Sequence, residues 1–235
     1  MRGNNLYSCA LLHRMVNLST LKITSKARLL VIDAQNDVCE DNSAYAVSEY
    51  APGKKRDVKP IQQAVEEGLL PFLERARSYG LPVGFIQSVY HKGQYSYSGI
   101  SDKWLTIDPE LEDAEWRIKI YRDMPESGEP IFRKDTQETF LYEEKENGLA
   151  DWLRETELVL VGGFTTDGCV KKGVYALLSR NYEPVVLKDC VATSGHKINT
   201  AHEAALNEFK NHKSVRIIDS KKVIFRAQTK NKQSN

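Results

Sequence analysis

The chain carries short apolar runs that show no alternation with polar residues. Leu158 to Val161 is one, and Leu29 to Ile32, between Arg28 and Asp33, is another. Such runs suit strands buried on both faces of a parallel sheet, because a strand with one wet face would alternate. Val83 to Val89, Ile131 to Lys134, Pro184 to Leu187 and Val215 to Ile218 read as further strands, with Val223 to Phe225 as a short edge strand. Between them the spacing changes to helical. Ile61, Val65, Leu69, Phe72, Leu73 and Ala76 share one face, and so do Val170, Val174, Leu177 and Leu178. Gly68 and Pro71 are expected to kink the first of these helices or divide it, and Gly80-Leu81-Pro82 to end it. Short helices are also expected over Asp108 to Glu115 and Leu149 to Arg154, and a longer one over Thr200 to Lys210.

Strand and helix alternate along the chain, which predicts an α/β fold: a doubly wound, mainly parallel sheet with helices on both faces. At 235 residues there is room for one well-filled domain. The expected division is a flexible leader over residues 1–26, a domain over 27–226 and a flexible tail over 227–235. The leader holds Arg2, Arg14, Lys22 and Lys26 and no acid. A disordered leader or a start at Met15 is the expectation, and an organelle transit peptide is the alternative. Residues 40 to 59 are polar and read as a loop. Residues 90 to 130 are irregular, and a loop of that length in a compact domain usually has a task.

Composition narrows the function. Apolar residues make up 41% and charged residues 28%, with a net charge of +1. That balance gives no electrostatic case for nucleic acid or an acidic membrane surface, and no apolar run approaches membrane-spanning length. Cys9, Cys39, Cys169 and Cys190 show no metal-type pairing, and reduced thiols in a cytoplasmic protein are the expectation.

The chemistry centres on one turn. Gly162 and Gly163 break the apolar run, Thr166 or Asp167 is placed to cap the next helix, and Cys169 falls in that helix's first turn. A helix N-terminus favours negative charge, so it is expected to lower the pKa of this thiol, and its free N–H groups can hold an oxyanion. The position suits a small packing cysteine equally well. In doubly wound sheets ligands bind beyond the carboxyl ends of the strands. Asp33, Lys134 and Asp189 lie at or near such ends, as the cysteine turn does. Asp33 is suited to take and return a proton, and Lys134 to stabilise both carboxylate and thiolate. Each, taken alone, also suits a purely structural residue. The dinucleotide and P-loop glycine motifs are both absent, and no cofactor is called for.

Three separated segments resemble the isochorismatase-like cysteine hydrolases. They are Val31-Ile32-Asp33-Ala34-Gln35-Asn36-Asp37-Val38, Phe132 to Phe140, and Gly163-Phe164-Thr165-Thr166-Asp167-Gly168-Cys169-Val170, with Asp189 to Thr193 as the following strand end. The resemblance implies Asp33, Lys134 and Cys169 as a catalytic triad. It also implies a cis peptide between Phe164 and Thr165, an oxyanion hole from the Thr165 and Cys169 N–H groups, and Gln35 lining the site near Asp33. Asp189 is expected to be an anchor. Phe164, His91, Tyr95 and Trp104 are the remaining pocket candidates. The reaction implied is metal-independent cleavage of a C–N bond in a small amide, ureide or carbamoyl substrate. Isochorismatase-type vinyl-ether hydrolysis and a non-catalytic oligomer on the same fold are the alternatives. Family nicotinamidases hold a metal through an Asp-x-His pair and a further histidine. Here that region reads Gln87-Ser88-Val89-Tyr90-His91-Lys92-Gly93, without the acid or the second histidine, so no metal is expected. By the same resemblance, the assembly expected is a homodimer or homotetramer.

Overall fold

Six of the runs read as strands form one parallel sheet in the computed structural model, which describes residues 20–91, 106–107, 112–136 and 138–225. The strands are β1 (Ala27–Ile32), β2 (Val83–Ser88), β3 (Ile131–Lys134), β4 (Leu158–Phe164), β5 (Glu183–Ala192) and β6 (Arg216–Ile218). Their spatial order is β6-β5-β4-β1-β2-β3, with every neighbouring pair parallel. Sequence order therefore reverses between β1 and β4. A crevice opens at the carboxyl ends of such a pair, because the connections leave it in opposite directions.

The absence of alternation has a direct cause. Leu29 and Val31 of β1 pack into one apolar core, while Leu30 and Ile32 pack into a second core on the opposite face. The first core is closed by α1 (Lys59–Ala64), a π-helical turn (Val65–Leu69) and α2 (Leu70–Ser78), through Ile61, Val65, Leu69, Phe72 and Leu73. The second is closed by α3 (Leu149–Trp152), α4 (Lys171–Ser179) and α5 (Glu203–Asn211), through Leu149, Val174, Leu177, Leu206 and Phe209. Fully burying each large aliphatic or aromatic side chain is worth about 1.5–3 kcal/mol, so the two-sided sheet is the main source of stability.

The expected break near Gly68 is a π turn within one continuous run. A Cβ at Gly68 would lie 1.9 Å from the Asp189 carbonyl oxygen, so glycine is required where this helix crosses β5. Pro71 sits at the start of α2, where a missing N–H costs little. Other expectations need correction. Residues 40 to 59 are not all loop: they hold a helix at Ala44–Val47 and a hairpin of Glu49–Ala51 with Lys54–Lys55. Of the short helix expected over Asp108 to Glu115, residues 108–111 lie outside the described residues, and a helix is found at Ala114–Ile118. Leu21–Ile23, within the expected leader, pairs in parallel with Val223–Phe225, and Leu21 and Ile23 are buried. Residues 1–19 of the expected leader and the tail from 227 lie outside the described residues. Among the described residues no helix is long and apolar enough to cross a membrane.

Candidate functional site

Three strand ends at the crevice carry the candidate residues. Asp33 is the first residue beyond β1, with a left-handed φ of 48° and its N–H donated to the Ile86 carbonyl at 3.1 Å. Lys134 is the last residue of β3 and is in register with Ser88, the last residue of β2. Cys169 lies in a π turn (Thr166–Val170) that follows β4 and runs into α4. Gly163 makes the sharp exit possible. Its φ is 113°, and a Cβ there would lie 2.0 Å from the Ile32 carbonyl oxygen. The next peptide, between Phe164 and Thr165, is cis.

The side chains meet. Lys134 Nζ donates to Asp33 Oδ2 at 2.9 Å and lies 3.6 Å from Cys169 Sγ. Ser88 Oγ donates to the same Oδ2 at 2.8 Å. Asp33 Oδ1 is left buried with no hydrogen-bond partner among the described residues. Asp33 and Lys134 are 0% and 1% exposed, whereas Cys169 is partly accessible. Burial alone would push the Lys134 ammonium down in pKa. Asp33, Cys169 and Tyr90 outweigh it, so the lysine is held well above its ordinary value.

The thiol departs from expectation. Burial pushes the Cys169 pKa up to about 12, Asp33 adds to the rise, and Lys134 opposes it. The expected lowering at a helix N-terminus is thus overridden by desolvation and a nearby carboxylate. Nor do Thr166 and Asp167 cap the helix with their side chains. Thr166 is hydrogen-bonded to His202 Nδ1 at 2.9 Å, and Asp167 accepts from Thr193 Oγ1 at 2.7 Å and Lys197 Nζ at 3.2 Å. These bonds tie the cysteine turn to the segment after β5. The N–H groups of Gly168 and Val170 both donate to the Thr165 carbonyl, and the Cys169 N–H between them is not drawn into it.

The pocket candidates fare unevenly. Gln35 is fully buried. Its amide donates to the carbonyls of Ser88 and Ile118 at 2.9 and 2.7 Å and accepts from the Ser88 N–H at 2.8 Å. It holds the backbone beside Asp33 and presents no free donor to a ligand. Phe164 is wholly buried in the first core and is no pocket wall. Tyr95, Trp104 and the side chain of His91 lie outside the described residues. Asp189 takes the Ser220 N–H and hydroxyl at 2.7 and 2.6 Å, as an anchor does.

Two residues beside the Asp33, Lys134 and Cys169 cluster escape the sequence reading. Ser88 is one. The other is Tyr90, whose phenol pKa is raised by burial and which feels Lys134, Cys169 and Asp33. No periodicity marks a lone serine or tyrosine at or just past a strand end; Ser88 reaches the site through its register with Lys134. As for a metal, Gln87 of the corresponding segment is tied to Ile118 and Arg133, and Val89 offers no ligand. Among the described residues no group of three or more His, Cys, Asp or Glu side chains is placed to hold a metal ion.

The model of the isochorismatase domain matches residues 27–222. Solved structures share the fold. An isochorismatase-like hydrolase from Alkaliphilus metalliredigens superposes with a TM-score of 0.63 at 20% identity, over 83% of this chain and 95% of that one. The N-carbamoylsarcosine amidase of Thermoplasma acidophilum gives 0.61 at 20% identity, over 83% and 96%. The nicotinamidase of Bacillus subtilis gives 0.61 at 19%, over 82% and 99%. No curated protein sequence matches the chain.

Proposed function

We propose that this chain, which belongs to the isochorismatase family of hydrolases, is a cysteine hydrolase that cleaves the C–N bond of a small amide, ureide or carbamoyl compound without a metal. One observation carries the reading. A buried ammonium bridges a carboxylate at 2.9 Å and a thiol at 3.6 Å, and the other carboxylate oxygen has no partner. An unpartnered buried carboxylate oxygen is costly, so a fold that keeps one beside a thiol supports a role in moving a proton. The amidase and the nicotinamidase among the structural neighbours favour the same reaction class.

In this mechanism Asp33 Oδ1 takes the Cys169 proton as Sγ attacks the carbonyl carbon. The oxyanion that forms is held by the N–H groups of Thr165 and Cys169. Asp33 returns its proton to the nitrogen, the C–N bond breaks, and an amine leaves an acyl thioester on Cys169. Asp33 then takes a proton from water, whose oxygen attacks the thioester. The acid departs and the thiol is restored. Lys134 keeps its charge throughout and stabilises whichever partner is anionic. A resting thiol with a pKa of about 12 suits this order of events, because the proton leaves only as the S–C bond forms. Ammonia or amine release from a panel of amides, carbamates and ureides tests the reading, and turnover surviving in Cys169→Ala would reject it.

A further inference from the structure

A groove of about 560 Å³ begins at the cysteine turn and runs along the outer face of α4, lined by Glu138, Asp167, Lys171, Lys172, Tyr175 and Ser179. Most of the charges around it are matched. Lys171 pairs with Glu208 at 2.5 Å, and Lys197 with Asp167 at 3.2 Å; deeper in, Lys134 pairs with Asp33 at 2.9 Å. Lys172 differs: among the described residues it makes no ion pair. It stands three residues beyond Cys169, and the backbone from Val170 onward is helical. Side chains at that spacing start about 5–6 Å apart on one helical face. The four-carbon stem of lysine lets its ammonium swing across whatever is seated on the sulfur. Burial lowers the Lys172 pKa while Cys169 raises it, Lys134 lowers it and Glu138 raises it, so this ammonium shares the field of the candidate site. Glu138, the acid on the groove wall whose charge acts on Lys172, is exposed, and an acid of that kind competes weakly for a cation.

We propose that Lys172 selects the substrate by binding a carboxylate carried close to the carbonyl that Cys169 attacks. The substrate class is therefore an anionic amide or ureide. Its reacting end sits over Sγ, and its carboxylate lies in the mouth of the groove. This rests on Cys169 being the nucleophile, but it is tested without turnover.

Iodoacetate and iodoacetamide both alkylate a thiol, forming an S–C bond and releasing iodide, and they differ in one carboxylate. The probe is the ratio of their rates at Cys169, followed by mass spectrometry of the cysteine peptide in the full chain. Lys172 is exposed and makes no ion pair among the described residues, so Lys172→Met is expected to fold normally. It is expected to lower the iodoacetate-to-iodoacetamide ratio about fivefold, the size of an attraction between partly solvated opposite charges, while Lys172→Arg keeps most of it. A ratio that changes by less than about twofold in Lys172→Met overturns the proposal. That result would leave the hydrolase reading standing, because the latter is decided by turnover in Cys169→Ala.

Discussion

Ser88 Oγ and Asp33 Oδ2 are 2.8 Å apart, on the one carboxylate oxygen that Lys134 also holds. The second donor has a geometric consequence. With two donors fixed on Oδ2, the carboxylate cannot rotate freely, and Oδ1 is left buried with no hydrogen-bond partner among the described residues. The order of strands makes this possible. Ser88 and Lys134 are in register on β2 and β3, and β2 lies beside β1, whose end carries Asp33.

Replacing Ser88 by alanine removes one of the two restraints and leaves Lys134 in place. A hydrogen bond to a charged group contributes about 1.5–3 kcal/mol, so a stability loss within that range is expected. Turnover of any accepted substrate should fall about tenfold in kcat with KM little changed, since the carboxylate is then misoriented. Steady-state kinetics beside a urea melt checks this. Wild-type kcat in Ser88→Ala would mean that the serine does not orient the carboxylate.

Removing the charge of Asp33 should separate reactivity from catalysis. The Cys169 pKa is raised to about 12 by burial first and by the Asp33 carboxylate next, against the pull of Lys134. In Asp33→Asn the second of these raising effects disappears, and Lys134 is left without its buried counter-ion. The thiolate becomes that counter-ion, so the thiol pKa should fall and alkylation near neutral pH should quicken. Turnover should nevertheless be lost, because no group remains to carry the proton. Ultraviolet titration of the thiolate is the measurement, and a pKa that stays or rises in Asp33→Asn contradicts the electrostatic account.

The Lys134–Asp33 pair is buried, and breaking it from one side strands a charge. Lys134→Met is expected to cost about 3–5 kcal/mol, while the double change Lys134→Met with Asp33→Asn should recover a large part of that loss. Denaturant midpoints for the two single variants and the double variant give the coupling directly. Additive losses would show that the two residues do not act as a pair.

Much of this arrangement is legible in the sequence, for physical reasons that differ from residue to residue. The strands show because burial on both faces removes alternation: Leu29 and Leu30 serve different cores and are both apolar. Asp33, Lys134 and Cys169 show through three short motifs at strand ends. The π turns at Val65–Leu69 and Thr166–Val170 do not show, since side-chain spacing alone does not distinguish one extra residue in a helical turn. Gly68 marks the first as a break without revealing that the Asp189 carbonyl leaves no room there for a Cβ. The raised pKa of the thiol does not show, because the helix N-terminus is a local feature, whereas burial and the Asp33 charge come from the assembled sheet. Gln35 and Phe164 sit next to reactive groups in the sequence, yet one is held by backbone bonds and the other by the core.

The two classes of glycine can be told apart by substitution. A Cβ at Gly68 meets the Asp189 carbonyl oxygen at 1.9 Å, a backbone atom that cannot swing aside. Gly68→Ala should therefore cost about 3 kcal/mol, at the upper end of overpacking penalties. At Gly128 nothing lies within 4 Å of the added atom, and only its φ of 91° opposes alanine. Gly128→Ala should cost about 1–2 kcal/mol. Equal losses in urea melts would remove the claim that glycine is required where this helix crosses β5.

The last expectation concerns acid. His202 is buried against Thr166, the first residue of the cysteine turn, and its ring Nδ1 is 2.9 Å from the threonine hydroxyl. Burial lowers its pKa below the ordinary 6.5, although Glu203 and Asp167 pull the other way. The sign follows from which state takes the proton first. As pH falls through 6.5 the unfolded chain is protonated at this histidine while the folded chain is not, so stability is complete above that value and is lost below it. His196, also lowered by burial and by Arg56, contributes a loss of the same sign. His202→Asn keeps a polar partner for Thr166 and removes one titrating group. Its stability should fall less steeply with acid than that of the wild type, while the slope due to His196 remains. Denaturant melts on the two sides of 6.5 measure the difference. Parallel slopes for the two proteins would exclude His202 as a source of acid sensitivity in the turn that carries Cys169.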